Sequence, residues 1–469
     1  MNPNLCAIIS PPREKWGLAP GVLIQYSVDI DGCGARVMKN TKLITSLLEF
    51  LGASPTPFHV VKNMANELDK AGFRQLSEGD RWQLDKNTRY YVIRGGSSII
   101  AFSPAGYGPS EMGIRMVGAH TDSPCLKIKP QPEILNNGYF QLGVEVYGGA
   151  LLNPWFDRDL SLAGRVTYLD RSDQIHDTLL DYREPIAVIP NLAIHLDRDA
   201  NKNRSVNPQK HLPAILFRHD KDEKPDLRSM LLGHIKTSEP DADPGVVLDF
   251  DLCLYDSQPP RVIGLNHDFV ASARLDNLLS CYIGLQSLLD RASPFPSVLV
   301  CNDHEEVGSQ SAIGAQGPFL RSVLERWCGS PENFQRAMDR SMLISADNAH
   351  GIHPNHADRH DQNHGPLLNS GPVIKINSNQ RYATNAVTSA FYRKLCRHND
   401  IPVQVFVSRT DLACGTTIGP LTAGELGVQT LDVGIPQFGM HSVRETCGTE
   451  DIDHLFRSLI AFYSSERLI

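Results

Sequence analysis

The chain has 469 residues, of which 41% are apolar and 21% charged, enough to bury a large core arranged as two domains. Its formal charge of −8 comes from mixed signs without a basic block, which argues against nucleic acid as the main partner, and no stretch is long and apolar enough to cross a bilayer. Ten cysteines, scattered without a CxxC pair, suggest neither a zinc ribbon nor a secreted disulfide framework, so a reducing cytoplasm is the expected location.

Residues 1 to 37 show no clear periodicity, and "LCAII" is interrupted by "SPPREK" before a signal-peptide core could form. This leader reads as a disordered tail or the product of an upstream start codon, with targeting or docking as the functional alternative. From Met38 onward, "KNTKLITSLLEFLGASPTPFHVVKNMANELDKAGF" predicts two amphipathic helices split by a Ser-Pro-Thr-Pro turn. Three strand-like runs follow, "YYVIRG", "SIIAFS" and "IRMVGAH". Between residues 130 and 261 the texture changes to strands such as "GRVTYLD" and "PIAVIPNLAIHL", then the polar "RHDKDEKPD". This segment predicts a β-rich domain inserted into a catalytic domain formed by residues 38–129 and 262–469. Beyond Val262 helices and strands alternate, giving an α/β fold with a mostly parallel sheet covered by helices.

Chemistry-bearing residues cluster at the ends of the apolar runs. "MVGAHTDSP" places His120 at a strand end with Asp122 two residues on, where a carboxylate could hold the imidazole tautomer of a metal ligand. "SARLDN" places Asp276 in the first turn of a helix, where simple capping is the bland reading. "SVLVCNDHEEVGS" is a continuously apolar strand that finishes in Glu305 and Glu306. "MLISADNAH" ends another apolar strand at Asp347, and "PQFGMHSVRE" supplies His441. Singly, each has an ordinary explanation. Together they bury charges that a shared cation would compensate economically, and the mixture of carboxylate and imidazole suits zinc, manganese or cobalt. Position 308 is glycine, so the pair does not form an HExxH motif. One glutamate is expected to bind metal while its neighbour handles a proton. The histidines of "DNAHGIHPNHADRHDQNHG" fit no helix face or finger spacing, and only His350 is placed to meet a substrate.

In its ordered motifs the chain resembles the aspartyl aminopeptidase family of dinuclear metallopeptidases. The likeness runs from about Met38 to the carboxyl end through "GAHTDSP", "NPWFDRDLSLAGRV", "NLAIHLDR", "SARLDN", "DHEEVGS", "SADNAHGIHPN", "GPVIKINSNQRYAT" and "GMHSVRE". The resemblance implies that His120, Asp347 and a bridging Asp276 hold one divalent ion, and that Asp276, Glu306 and His441 hold a second. It makes Glu305 the general base and acid and places Asp122 among the catalytic residues. Three ligand carboxylates against two divalent ions leave about one net positive charge with which to activate water and polarise a peptide carbonyl. The resemblance further implies peptide substrates with a free, acidic amino terminus, a substrate pocket near Lys375 and Tyr382 to which His350 and Met440 are added, and dodecamers built from dimers. Ile374 and Ile376 suggest that the Lys375 side chain faces away from a buried side. For His195, a histidine buried within its own β-domain is the reading from sequence alone. The resemblance instead sends it into a partner's active site to donate a hydrogen bond to the oxyanion. A metal-dependent amidohydrolase of N-acyl amino acids and a vacuole-delivered cargo or scaffold particle are the competing readings.

Overall fold

The structure, a computed structural model, describes residues 40–219, 225–239, 242–290 and 293–468, so the leader expected over 1–37 lies outside them. The two helices foreseen after Met38 are Thr41–Gly52 and Pro57–Lys70, separated by the proline-containing turn. Nine strands form the main sheet, in the order Arg74–Gln75, Tyr90–Arg94, Ser98–Ser103, Ser297–Asn302, Arg115–His120, Met342–Ala346, Gln429–Gly434, Val373–Ile376 and Gln404–Val407. From Ser297–Asn302 to Gln429–Gly434 the neighbours are all parallel.

The continuously apolar sequences follow from helices on both faces. Leu299 and Cys301 join the core beneath helices Leu275–Asp290 and Thr449–Tyr463. Val298 and Val300 join the opposite core, beneath Phe319–Cys328 and Pro331–Asp339. Successive side chains therefore alternate between two apolar layers, and all six residues of Ser297–Asn302 are buried. The same alternation holds for Met116 and Val117 in Arg115–His120.

Six antiparallel strands drawn from residues 125–256 make a second sheet, in the order Ile175–Asp181, Leu160–Asp170, Pro244–Asp256, Cys125–Asn136, Tyr139–Tyr147 and Ala214–Arg218. Helix Leu227–Ser238 buries Leu227, Leu231 and Ile235 in its core. The strand Cys125–Asn136 begins ahead of residue 130 and runs through it without a break. "PIAVIPNLAIHL" is not a strand: only Ala187 and Val188 form isolated bridges, and the segment ends in an exposed turn. Pro185 and Pro190 carry no backbone N–H to donate, so the apolar run cannot sustain a ladder. A five-stranded sheet includes Phe269–Ser272, Glu445–Gly448, Pro436–Phe438 and Ala349–His350, and brings the carboxyl-terminal segment against Asp347.

The close fit of this junction is visible at Gly434, where a Cβ would stand 1.8 Å from the Asp347 carbonyl oxygen. A backbone atom cannot rotate aside as a side chain can. Gly434→Ala is therefore expected to displace the Asp347 backbone, lowering both the thermal midpoint and metal uptake relative to the unmodified protein; calorimetry and elemental analysis check this.

Candidate metal centre

Parallel pairing puts the ends of three strands at one edge. Asn302 lies in register with His120, and Met342–Ala346 runs beside the same strand, so His120, the Glu305–Glu306 pair and Asp347 all leave the sheet at its carboxyl-terminal rim. Chemistry in α/β sheets collects at this rim because loops can vary there over a rigid support.

Asp276 enters from the opposite layer. It belongs to Leu275–Asp290, yet its φ of −82° and ψ of 106° are not helical. The backbone of this corner is held from several directions. The Asp276 N–H donates to Glu445 Oε2 at 2.9 Å, its carbonyl accepts from Ser123 Oγ at 2.6 Å, and Asn277 Nδ2 donates to the Ala346 carbonyl at 2.8 Å. The carboxylate is thereby turned away from the helix amides and into the rim, so the capping role suggested by position alone is not what the residue does.

The two oxygens of Asp276 face different partners. Oδ1 is 3.4 Å from His120 Nε2, which is itself 3.7 Å from Asp347 Oδ1. Oδ2 is 3.6 Å from His441 Nε2, which is 3.3 Å from Glu306 Oε2. Two donors at roughly 2.1 Å from a tetrahedral zinc ion stand roughly 3.4 Å from each other, so these separations fit the edges of coordination polyhedra. His120, Asp276 and Asp347 form one group able to hold an ion, and Asp276, Glu306 and His441 another; a third grouping joins His120 to Glu305 and Glu306. Asp276 Oδ1 and Glu306 Oε1 are buried without a hydrogen-bond partner, and a cation would satisfy both.

Asp122 ties the two halves together. Its Oδ1 is 3.4 Å from His120 Nδ1, while its two oxygens accept the Glu305 and Glu306 N–H groups at 3.1 and 3.0 Å and the Tyr147 hydroxyl at 2.7 Å. The Asp122 backbone carbonyl, 3.0 Å from His120 Nδ1, orients the imidazole with the carboxylate beside it, while the carboxylate fixes the turn of the glutamate pair. In the absence of a cation, burial alone would push the His120 imidazole down, but the Asp122, Asp276 and Asp347 carboxylates outweigh it and raise the ring well above its ordinary range. Burial drives Glu306 well above the usual carboxylate range, with Asp276 adding to the effect.

The flanking candidates fall into two sets. Lys375 is 2% exposed, not turned from a buried side as its neighbours suggested, because its end of the strand Val373–Ile376 lies against the rim. Its Nζ donates to Asp347 Oδ2 at 3.1 Å and to the Asn348 carbonyl at 3.0 Å, and stands 5.2 Å from the Tyr382 ring centroid. His350 packs edge-on against Phe406 near the same strand, and Met440 immediately precedes His441. His195 is far from this description. It occupies an exposed turn, which overturns the buried reading taken from its apolar surroundings: Leu192, Ile194 and Leu196 are exposed as well. In the histidine-rich loop His353 and His356 have ring centroids 4.9 Å apart, but neither belongs to a possible metal group among the described residues.

Glu445 was not singled out by the sequence reading, although it stands in "MHSVRE". It is 2% exposed, and its two oxygens accept the N–H groups of Asp276 and His441, the latter at 2.7 Å. A carboxylate four residues after a candidate histidine was the available signal, but nothing local indicates that it also reaches Asp276.

Glu445→Gln replaces one of those acceptors with an NH₂ group facing an N–H. The expected result is weaker metal retention during dialysis against chelator, with little change in far-ultraviolet circular dichroism, since the loss is confined to two backbone corners. A pH effect follows from Glu305. In the absence of a cation, burial outweighs the opposing pull of His120 and, with Asp347 and Asp122, pushes its carboxyl from 4.5 up to about 8. Between those values the folded chain keeps a proton that the unfolded chain has released, so this group makes stability fall as pH rises. The urea midpoint of metal-free protein should drop between about pH 5 and 8, and Glu305→Gln should make that decline shallower.

The sequence profile of the Aminopeptidase I zinc metalloprotease family (M18) matches residues 50–463. A Probable M18 family aminopeptidase 2 of Ectopseudomonas mendocina is 58% identical over 427 residues, which cover 91% of this chain and 99% of that protein. The corresponding protein of Stutzerimonas stutzeri is 57% identical with the same coverage. Among solved structures, the cryo-EM structure of the Ape4 and Nbr1 complex superposes with a TM-score of 0.87 at 37% identity, covering 91% of this chain and 87% of that one. The S. cerevisiae mApe1 dodecamer gives 0.78 at 29%, covering 90% and 96%.

Proposed function

The chain belongs to the M18 family of zinc aminopeptidases, and from that premise we propose that it releases amino-terminal Asp and Glu from peptides with two divalent ions, zinc before manganese or cobalt. The observation that carries the reading is the Asp276 carboxylate, which offers one oxygen to the His120 and Asp347 group and the other to the Glu306 and His441 group. When bound, the ions supply Lewis acidity to a water molecule and to the scissile carbonyl. Glu305, beside both groups and fixed by its backbone to Asp122, accepts the water's proton and delivers it to the leaving amine. Acidic side chains around the site hold the substrate's free ammonium. An N-acyl substrate has no such ammonium, and this separates an aminopeptidase from an amidohydrolase.

Selectivity for an acidic first residue is assigned to Lys375 and Tyr382, with His350 and Met440 bordering the pocket. A buried ammonium beside the rim supports this, since a carboxylate entering the cleft would be stranded without a cation. Lys375 also braces Asp347, so its loss touches metal binding as well. Residues 130–261 are assigned to dimerisation, and the exposed Leu192, Ile194 and Leu196 around His195 supply an apolar face for a second copy. Across that contact His195 donates a hydrogen bond to the oxyanion of the neighbour's substrate. The assembly is a dodecamer built from such dimers, and the similar S. cerevisiae mApe1 structure is described as a dodecamer. A cytoplasmic location completes the proposal. No helix of the described residues is long and apolar enough to cross a membrane.

A panel of peptides differing only in the first residue, assayed after chelation and after addition of zinc, manganese or cobalt, tests the activity. Asp and Glu should be released fastest and N-acylated versions left intact. Lys375→Ala, with metal content restored and verified, should lose more rate on acidic than on neutral first residues. Equal losses would remove Lys375 from the specificity pocket.

The shared site is tested by mixing two inactive forms, His195→Phe and Glu305→Gln, under conditions that exchange subunits. Each single substitution is expected to cost about 10²-fold or more. Mixed dimers should recover activity because one of their two centres is intact. No recovery despite proven exchange would confine His195 to its own chain.

A further inference from the structure

Beyond the metal centre, two thiols meet in the six-stranded sheet. Cys125 opens the strand Cys125–Asn136, and Cys253 lies in its antiparallel neighbour Pro244–Asp256. The register pairs Cys253 with Lys127 and Leu254 with Leu126, which sets Cys125 diagonally across from Cys253 on the same face of the pleat. Their Sγ atoms are 3.5 Å apart and both thiols are free. A disulfide bond is about 2.05 Å long, so the sulfurs must close by about 1.5 Å to join.

Access distinguishes this pair from the other neighbouring thiols, Cys281 and Cys301. Both line a cavity of about 290 Å³ whose walls include Lys127, Arg165 and His304. Cys125 is half-buried and Cys253 is 7% exposed. Asp122, Asp251 and Asp303 share this wall with the three basic residues, and the mixed polar lining admits a small polar reagent. Cys281 and Cys301 are also neighbours, but both are fully enclosed in the main core, where no reagent reaches them.

We propose that Cys125 and Cys253 form a reversible thiol–disulfide site whose oxidant is a small hydroperoxide. The Cys125 thiolate attacks a peroxide oxygen, the O–O bond breaks, and the departing oxygen takes up a proton, leaving a sulfenic acid and, from hydrogen peroxide, one water. The Cys253 thiolate then attacks that sulfur, the S–O bond breaks, and a second water leaves after protonation. Two thiols have lost two electrons and two protons to one peroxide, and the products are a disulfide and two waters.

The test uses the intact, metal-loaded protein treated with hydrogen peroxide, quenched by alkylation and digested without reductant. Mass spectrometry should find the peptides of Cys125 and Cys253 joined, with the loss of one pair of alkylatable thiols per chain and full return after dithiothreitol. Cys281 and Cys301 should remain thiols, alkylated only on unfolding. Cys253→Ser should remove the linked peptide and leave Cys125 to oxidise further. The proposal is overturned if both residues of the unmodified protein stay alkylatable after treatment, if they reach sulfinic acids without joining, or if either is linked to a different cysteine. Because the readout is a peptide mass, the result is independent of whether the peptidase reading holds.

Discussion

Five carboxylates, those of Asp122, Asp276, Glu305, Glu306 and Asp347, converge on a rim where water is scarce, and the remaining architecture answers the electrostatic problem this creates. Asp276 is the extreme case, since its oxygens serve two groups and Oδ1 has no hydrogen-bond partner. Burial, reinforced by Asp347, raises its carboxyl above the ordinary range. Asp347 goes the other way: although burial opposes ionisation, Lys375 and His120 hold its carboxyl below the usual range. Two acids in one cluster are thus pushed apart by which of them has a cation at hand. A divalent ion at each group would bring the unpartnered ones into the same condition as Asp347.

Holding such charges together requires backbone that cannot yield. Parallel strands with helices on both faces provide it, because Val117, Leu299 and Ile344 are each locked into a closed apolar layer. The rim is then finished by interactions that join distant segments. Asp122 binds the glutamate turn to His120, and Glu445 binds the Asp276 corner to the His441 turn. These two carboxylates do for the backbone what ions would do for the side chains. They fix separations of 3.3 to 3.7 Å across residues as far apart in sequence as His120 and Asp347 or Asp276 and His441.

Much of this was legible in the sequence. Apolar runs that stop at Asp, Glu or His marked the strands at 115–120, 297–302 and 342–346 together with their rim residues, because a strand covered on both faces leaves little else to read. What stayed hidden depended on tertiary contact. Position alone offered Asp276 a capping role, because its neighbours have helical spacing, and only the resemblance made it a ligand; its backbone departs from the helix where Glu445 accepts its N–H and Asn277 reaches Ala346. Lys375 was placed in a pocket by resemblance, but its burial was hidden, because alternation with Ile374 and Ile376 does not reveal that Asp347 lies opposite. "PIAVIPNLAIHL" carried strand-like side chains, but its prolines removed donors from the ladder. The exposed position of His195 could not be read from a motif in which three of the nearest apolar residues are themselves uncovered.

The bridging role proposed for Asp276 puts its carboxylate between two cations. Anomalous diffraction from crystals of the zinc-loaded protein, collected on either side of the zinc absorption edge, locates such ions directly. Two peaks per chain are expected, one enclosed by His120, Asp276 and Asp347 and the other by Asp276, Glu306 and His441. A single peak that leaves one Asp276 oxygen without a cation, or no peak at this rim in fully loaded protein, would contradict that role.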